Sequence, residues 1–324
     1  MCTAMTFRRK DTFFGRNLDV ERSFGEQVVV TPRGYRFALK NGAEYRTRYA
    51  LMGMGVVVQE TPLYYEAFNE AGLAMAGLNF PKSAVYQEPK EGMDNITPSE
   101  LLPWILGQAA TVAEARALLE RLNLTGIPFA PGMPLSPLHY MLSDSRESIV
   151  AEPVGEGLKI YENPYEVMTN EPPFDFQLWN LQQYLHLSPR NQKNSFTALD
   201  SMESYAVGMG AVGLPGDASS ISRFVRAAFN LANSACEDAG EACVSQFFHV
   251  LDSVAMVRGA VLTDRGTPDL TVYSCCVDLE QRTYYYKTYD NSRITVLRMD
   301  HADLDGDALT VYPLHTAQDM LAGN

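Results

Sequence analysis

Strand-like and helix-like stretches arrive in blocks along this 324-residue chain, not in alternation, and that order restricts the fold more than any other feature. The opening third reads as β. Residues 2–8, 12–17 and 27–31 are short runs rich in Thr, Val and Phe, parted by turn signals at Lys10-Asp11 and Pro32-Arg33-Gly34. Strands at 49–58 and 73–80 follow. The second, L-A-M-A-G-L-N-F, is small and apolar, as a strand covered on both faces must be. Two helix starts come next, at Thr97-Pro98-Ser99-Glu100 and Thr111-Val112-Ala113-Glu114, each with a Glu three residues after its cap. Short strands at 138–142, 148–153 and 158–161, and a run ending at Asn170, precede helices at 174–185, 222–232 and 244–254. The chain then returns to β at 270–277, 283–289 and 293–299. Alternation would have given a doubly wound α/β fold. Blocks give an α+β arrangement in which two antiparallel sheets lie between helical layers. No linker divides the chain, so residues 1–324 read as one domain. Residues 191–220, rich in Gly, Ser, Met and Ala, are too long for a passive connection and predict a functional loop or an assembly element.

A net charge of −13 without any basic cluster argues against a nucleic-acid partner. No apolar run approaches the ~20 residues that span a bilayer. The start also lacks a charged-then-apolar secretion signal, so a cytoplasmic protein is expected. The five cysteines, Cys2, Cys236, Cys243, Cys275 and Cys276, are odd in number and form no CxxC element, which fits reduced thiols. Cys275 and Cys276, adjacent in a strand, read as packing residues. The histidines are scattered, with no HExxH and no Cys/His cluster, and Asp303 to Asp307 lacks the full calcium-loop pattern. No metal or other cofactor is expected.

The chemistry centres on Met1-Cys2. A small side chain at the second position permits removal of Met1, leaving Cys2 with both a thiol and a free α-amine. A thiol reacts as its thiolate, and an α-amine titrates near pH ~8, so one residue would hold a nucleophile and its own base. A hairpin at Lys10-Asp11 would bring Arg16 and Asp19 back beside Cys2. Arginine near a thiol favours the thiolate, and a carboxylate beside an amine orients it. Asn79 and Asn170 fall at strand ends in apolar surroundings, where amide donors can hold the oxyanion of a tetrahedral intermediate. Each residue alone has a plainer role: Cys2 as an accident of translation, Arg16 and Asp19 as a surface ion pair, the two Asn as turn formers.

Read together, M-C-T-A at the start, F-G-R-N-L-D at 14–19, V-T-P-R-G-Y at 30–35, N-E-A-G-L-A-M-A-G-L-N-F at 69–80, T-N-E-P-P-F at 169–174, G-L-P-G-D at 213–217 and S-R-F-V-R-A-A-F at 222–229 resemble the bile salt hydrolases. These are choloylglycine hydrolases of the N-terminal-nucleophile superfamily. The resemblance runs on to Y-Y-Y-K-T-Y-D-N at 284–291, almost the whole chain. It implies a four-layer αββα sandwich and cleavage of the amide joining a bile acid to glycine or taurine through a thioester. It also implies a homotetramer built with residues 191–220. Carried over by position, it makes Cys2 the nucleophile, Arg16 and Asp19 its support, and Asn79 and Asn170 the oxyanion site. Arg223 joins this set on the resemblance alone, since a helical arginine is usually solvated. Loops at 20–27, 58–65 and 127–138 would wall an apolar steroid pocket.

Three competing readings stand beside this one. Penicillin V acylase shares the fold and nucleophile, but commonly carries Tyr at the position of Asn79. A non-catalytic bile-acid-binding protein could use the same scaffold. A Cys236 or Cys243 thiolate paired with His249 is disfavoured by the acidic stretch 237–241 between the two cysteines.

Overall fold

The tight turn at Lys10-Asp11 does fold the start of the chain back on itself. In this computed structural model, which describes residues 1–199, 201–236 and 239–323, strand Cys2–Arg8 pairs antiparallel with Thr12–Val20. The register sets Cys2 opposite Leu18 and Ala4 opposite Arg16. Strand Leu270–Asp278 lies on the far side of Thr12–Val20, with Cys275 opposite Arg16 and Thr271 opposite Asp19. This pairing depends on Gly15, where an added Cβ would stand 2.0 Å from the Cys275 carbonyl oxygen. Val167–Met168, Thr283–Thr288 and Thr295–Arg298 complete a six-stranded antiparallel sheet.

The second sheet has eight strands, in the order Gly157–Glu162, Ser148–Val154, Leu138–Ser143, Ala74–Asn79, Thr61–Asn69, Leu51–Val58, Gln27–Thr31 and Thr310–Pro313. Two of these correct the sequence reading. Residues 58–65, expected as a pocket loop, are a hairpin that turns at Gln59-Glu60 (φ 50° and 62°) and continues as strand Thr61–Asn69. Pro62 and Glu66 interrupt the apolar pattern that would have marked that strand. Thr310–Pro313 had no signal, because it is a short edge strand with only one half-buried face.

Helices Pro98–Leu106 and Val112–Leu119 cover the outer face of the eight-stranded sheet, burying Leu101, Ile105, Val112 and Ala115 with Leu51 and Met75. Ser220–Asn233 and Glu241–Asp252 cover the six-stranded sheet. The sheets meet through residues such as Ala4, Phe14, Met52 and Leu78. Four layers result, as the block order requires. Helix starts follow their caps: Glu100 accepts the Thr97 N–H at 2.9 Å, and Ser219 Oγ accepts the Ser222 N–H at 3.4 Å. The helix expected at 174–185 is Phe174–Leu181 followed by a 3-10 turn over Gln182–Tyr184.

One chemical expectation fails. Cys236 and Cys243 form a disulfide, with Cα atoms 5.5 Å apart. An odd cysteine count hid the even pair, and the link joins the end of one helix to the first turn of the next. Glu237 and Asp238 of the acidic stretch, and Asp200 in the irregular segment, lie outside the described residues. Cys275 and Cys276 are buried and free, as packing residues should be. Among the described residues no helix is long and apolar enough to cross a membrane.

Candidate active site

The first residue of the central hairpin is held from three sides. Cys2, 3% exposed, donates its backbone N–H to Asn170 Oδ1 at 2.7 Å. Its carbonyl oxygen accepts from Arg223 Nη1, which also donates to Thr3 Oγ1 at 2.7 Å. Met1 still precedes it here, and the Met1 ammonium donates to the Asp19 carbonyl oxygen and lies 3.3 Å from the Asp269 carboxylate.

Two buried arginines stand near this residue, Arg16 on the neighbouring strand and Arg223 on helix Ser220–Asn233. Arg16 donates from Nη1 to the carbonyl oxygens of Gly77 (2.7 Å) and Tyr65 (3.2 Å), both in the eight-stranded sheet. Its nearest carboxylate is Glu66, 3.8 Å away, which accepts from the hydroxyls of Tyr273 (2.6 Å) and Tyr284 (2.7 Å). Burial works against the Arg16 charge. Interactions with the neighbouring Cys2, Tyr273 and Glu66 outweigh it and leave the guanidinium more firmly protonated than usual. Arg223, one turn into its helix, also gives Nη2 to Asn170 Oδ1 (2.8 Å) and Nε to the Ala218 carbonyl (3.0 Å). Its pKa is lowered by burial, against the pull of Asp19 and Cys2.

Asp19 accepts from Thr271 Oγ1 at 2.6 Å through Oδ1, while its other carboxylate oxygen is buried without a partner. Burial raises its pKa, opposed by Arg223 and the N-terminal ammonium. Asn170 ties the set together. Its Nδ2 donates to the Asn79 carbonyl oxygen at 2.8 Å, and its backbone N–H donates to Ser220 Oγ at 2.8 Å. The amide nitrogen carries two protons, and Asn79 takes one of them.

Cys2, Asn170 and Arg223 are thus joined by hydrogen bonds, and the buried charges of Arg16 and Asp19 act on Cys2 and Arg223 electrostatically. Asn79 joins the hydrogen-bonded set through its backbone carbonyl, while Asn79 itself is exposed. Sequence reasoning missed Glu66, Asp269 and Thr271. Glu66 carried the only usable signal, as the lone acid in an otherwise apolar strand, and that strand was read partly as loop. Among the described residues no group of three or more His, Cys, Asp or Glu could hold a metal ion. A cavity of about 360 Å³ is bounded by Glu21, Arg22 and Ser23, which follow the Asp19 strand, and by Leu270, Val272 and Tyr289. Of the stretches expected as pocket walls only part of 20–27 lines this cavity, and Cys2, Arg16, Asn79, Asn170 and Arg223 do not line it.

This arrangement couples a buried thiol to cations, a carboxylate and amide donors, the parts an acyl transfer needs. Comparison with known proteins points the same way. The profile of the linear amide C–N hydrolases, choloylglycine hydrolase family, matches residues 2–312. A bile salt hydrolase/transferase from Lactiplantibacillus plantarum is 46% identical over 324 residues, covering all of both chains. One from Clostridium perfringens is 39% identical over 318 residues and 96% of both. The crystal structure of the C2A mutant of the conjugated bile acid hydrolase from Clostridium perfringens superposes with a TM-score of 0.94 over all of both chains at 36% identity. A penicillin V acylase from Agrobacterium tumefaciens shares the fold, with a TM-score of 0.77 at 21% identity, over 96% of this chain and 90% of that one.

Proposed function

Because this chain belongs to the choloylglycine hydrolase family of linear amide C–N hydrolases, we propose that it hydrolyses glycine- or taurine-conjugated bile acids, with Cys2 as the nucleophile once Met1 is removed. The observation that carries this reading is the placement of Cys2 N on Asn170 Oδ1, between Arg223 and Asp19. After Met1 leaves, that nitrogen becomes an amine. Asn170 Oδ1 accepts one of its protons and so aims the lone pair.

The steps balance without an added reagent. The Cys2 amine takes the thiol proton, directly or through water, and the thiolate attacks the amide carbon beside charged Arg16. The free proton of Asn170 Nδ2, with Asn79 across from it, stabilises the oxyanion. The C–N bond breaks, the amine returns its proton to the departing glycine or taurine nitrogen, and a thioester remains. Water, deprotonated by the same amine, hydrolyses the thioester to the free bile acid and restores the thiol. Asn79 in place of Tyr favours bile acids over phenoxyacetyl amides. Exposed Phe196, Tyr205 and Val207 within 191–220 support association through that segment, which the family resemblance makes a homotetramer.

Turnover of taurocholate, glycocholate and penicillin V by purified protein tests the substrate class; a strong preference for penicillin V overturns it. Cys2→Ser tests the nucleophile, with activity expected to vanish while the circular dichroism and melting temperature hold. Surviving turnover would mean another nucleophile. Mass spectrometry of the active protein should find Met1 absent, and full activity with Met1 retained would refute the amine's role.

A further inference from the structure

Near Asn79, the last residue of its strand, and Asn170, two residues past Val167–Met168, lies His139, on strand Leu138–Ser143 and 1% exposed. Its ring stacks on Phe80, the residue after Asn79, with centroids 4.3 Å apart and planes 4° from parallel. Nε2 stands 2.8 Å from the carbonyl oxygen of Thr169, the residue before Asn170. Nδ1 stands 2.9 Å from Glu152 Oε1. A carbonyl oxygen can only accept. The Glu152 carboxylate is an acceptor as well, with its two oxygens 3.1 and 3.2 Å from the Phe174 backbone N–H. A neutral imidazole offers one donor and one acceptor nitrogen, so it cannot satisfy acceptors on both sides. One further proton must be present. Both Glu152 oxygens already accept the one Phe174 N–H, so the proton is assigned to the ring.

We propose that His139 is a buried, doubly protonated imidazolium that acts as a positioning residue: it donates to Thr169 and Glu152, stacks on Phe80, and so fixes Asn170 and Asn79 relative to Cys2. The ring reaches the chain one residue before one asparagine and one residue after the other, so a single group sets the spacing of both. Glu152 is its counter-charge and also anchors the start of helix Phe174–Leu181. Neither residue touches substrate in this scheme. This inference rests on the amide-hydrolase reading for its effect on rate, though not for the protonation state.

Two measurements separate these. In 15N spectra of histidine-labelled wild-type protein, His139 should show both ring nitrogens protonated at neutral pH, and a single protonated nitrogen would overturn the proposal. His139→Leu, which keeps bulk but loses both donors, should lower kcat on taurocholate by about 10- to 100-fold with KM within about twofold, the signature of lost orientation. His139→Gln, whose amide can still donate to Thr169, should regain most of the loss. Wild-type kcat in His139→Leu, or a change confined to KM, would overturn the positioning role. Should His139→Leu fail to fold, the ring-nitrogen signature and His139→Gln decide. A wild type inactive on every bile-acid conjugate would refute the proposed function instead and leave the spectra to judge the imidazolium.

Discussion

Changing one NH2 group of Asn170 to oxygen separates the two jobs given to that residue. Asn170→Asp keeps the acceptor that takes the Cys2 nitrogen (2.7 Å) and Arg223 Nη2 (2.8 Å), but replaces the donor that reaches the Asn79 carbonyl at 2.8 Å. On stability the changes oppose each other. Two oxygens left facing each other cost about 1–3 kcal/mol, while turning the Arg223 contact into an ion pair offsets part of that. The net change in unfolding free energy should stay within about 1–2 kcal/mol. On rate nothing compensates. Loss of one oxyanion donor costs about 2.7–4 kcal/mol, or roughly 100- to 1,000-fold in kcat, and the new carboxylate adds repulsion toward the developing charge. Taurine or glycine release from conjugated bile acids measures the first effect, and urea unfolding measures the second. A variant with near wild-type kcat would refute the donor role. A variant that is inactive because it is unfolded would refute the view that Asn170 serves the fold mainly as an acceptor.

Two further expectations concern the sheet that carries the site. Gly15→Ala would set a Cβ 2.0 Å from the Cys275 carbonyl oxygen and 2.7 Å from its carbon, both backbone atoms. Separating these strands should cost about 1–3 kcal/mol or more and lower the melting temperature by several degrees, and an unchanged melting temperature would refute the close approach. Asp278, whose Oδ1 accepts the Gln281 N–H at 2.9 Å while its other oxygen lacks a partner, has its pKa pushed up from 3.8 to about 6 by burial. Its folded form therefore holds a proton to higher pH than the unfolded chain, so this group's contribution is largest below pH 3.8 and is lost as pH rises through about 6. Asp278→Asn should flatten that loss and leave the variant more stable than wild type above the window, by about 1 kcal/mol after allowance for solvent screening. Identical pH slopes in urea unfolding would refute it.

The large elements were legible because they obey local rules. The two capping sequences, the alternating strands and the Lys10-Asp11 turn each fix structure within a few residues, and together they gave the layers. The site was legible only in part. Arg16 and Asp19 could be placed beside Cys2 because a hairpin turn sets that register. Glu66 and Thr271 reach the same point from distant strands, and no spacing in the sequence encodes that meeting. Arg223 needed the resemblance, since a helix does not say which of its faces meets a sheet. The Cys236–Cys243 link escaped because cysteine counting sees parity and spacing rather than two helices folding back. Asn79 was found for its side chain, yet the contact made here is through its backbone oxygen.

The reach of Arg16 into the neighbouring sheet has a consequence for how the protein comes into being. The ribosome delivers the Cys2 hairpin first and the strand Leu270–Asp278 near the end, while Tyr65 and Gly77, which Arg16 grips, belong to a sheet completed only by Thr310–Pro313. Until strand Leu270–Asp278 is made, Asp19 lacks the Thr271 hydroxyl that it accepts from in the finished fold. Completing the surroundings of Asp19 therefore waits on a pairing 252 residues apart in sequence, with the entropy cost of closing so long a loop.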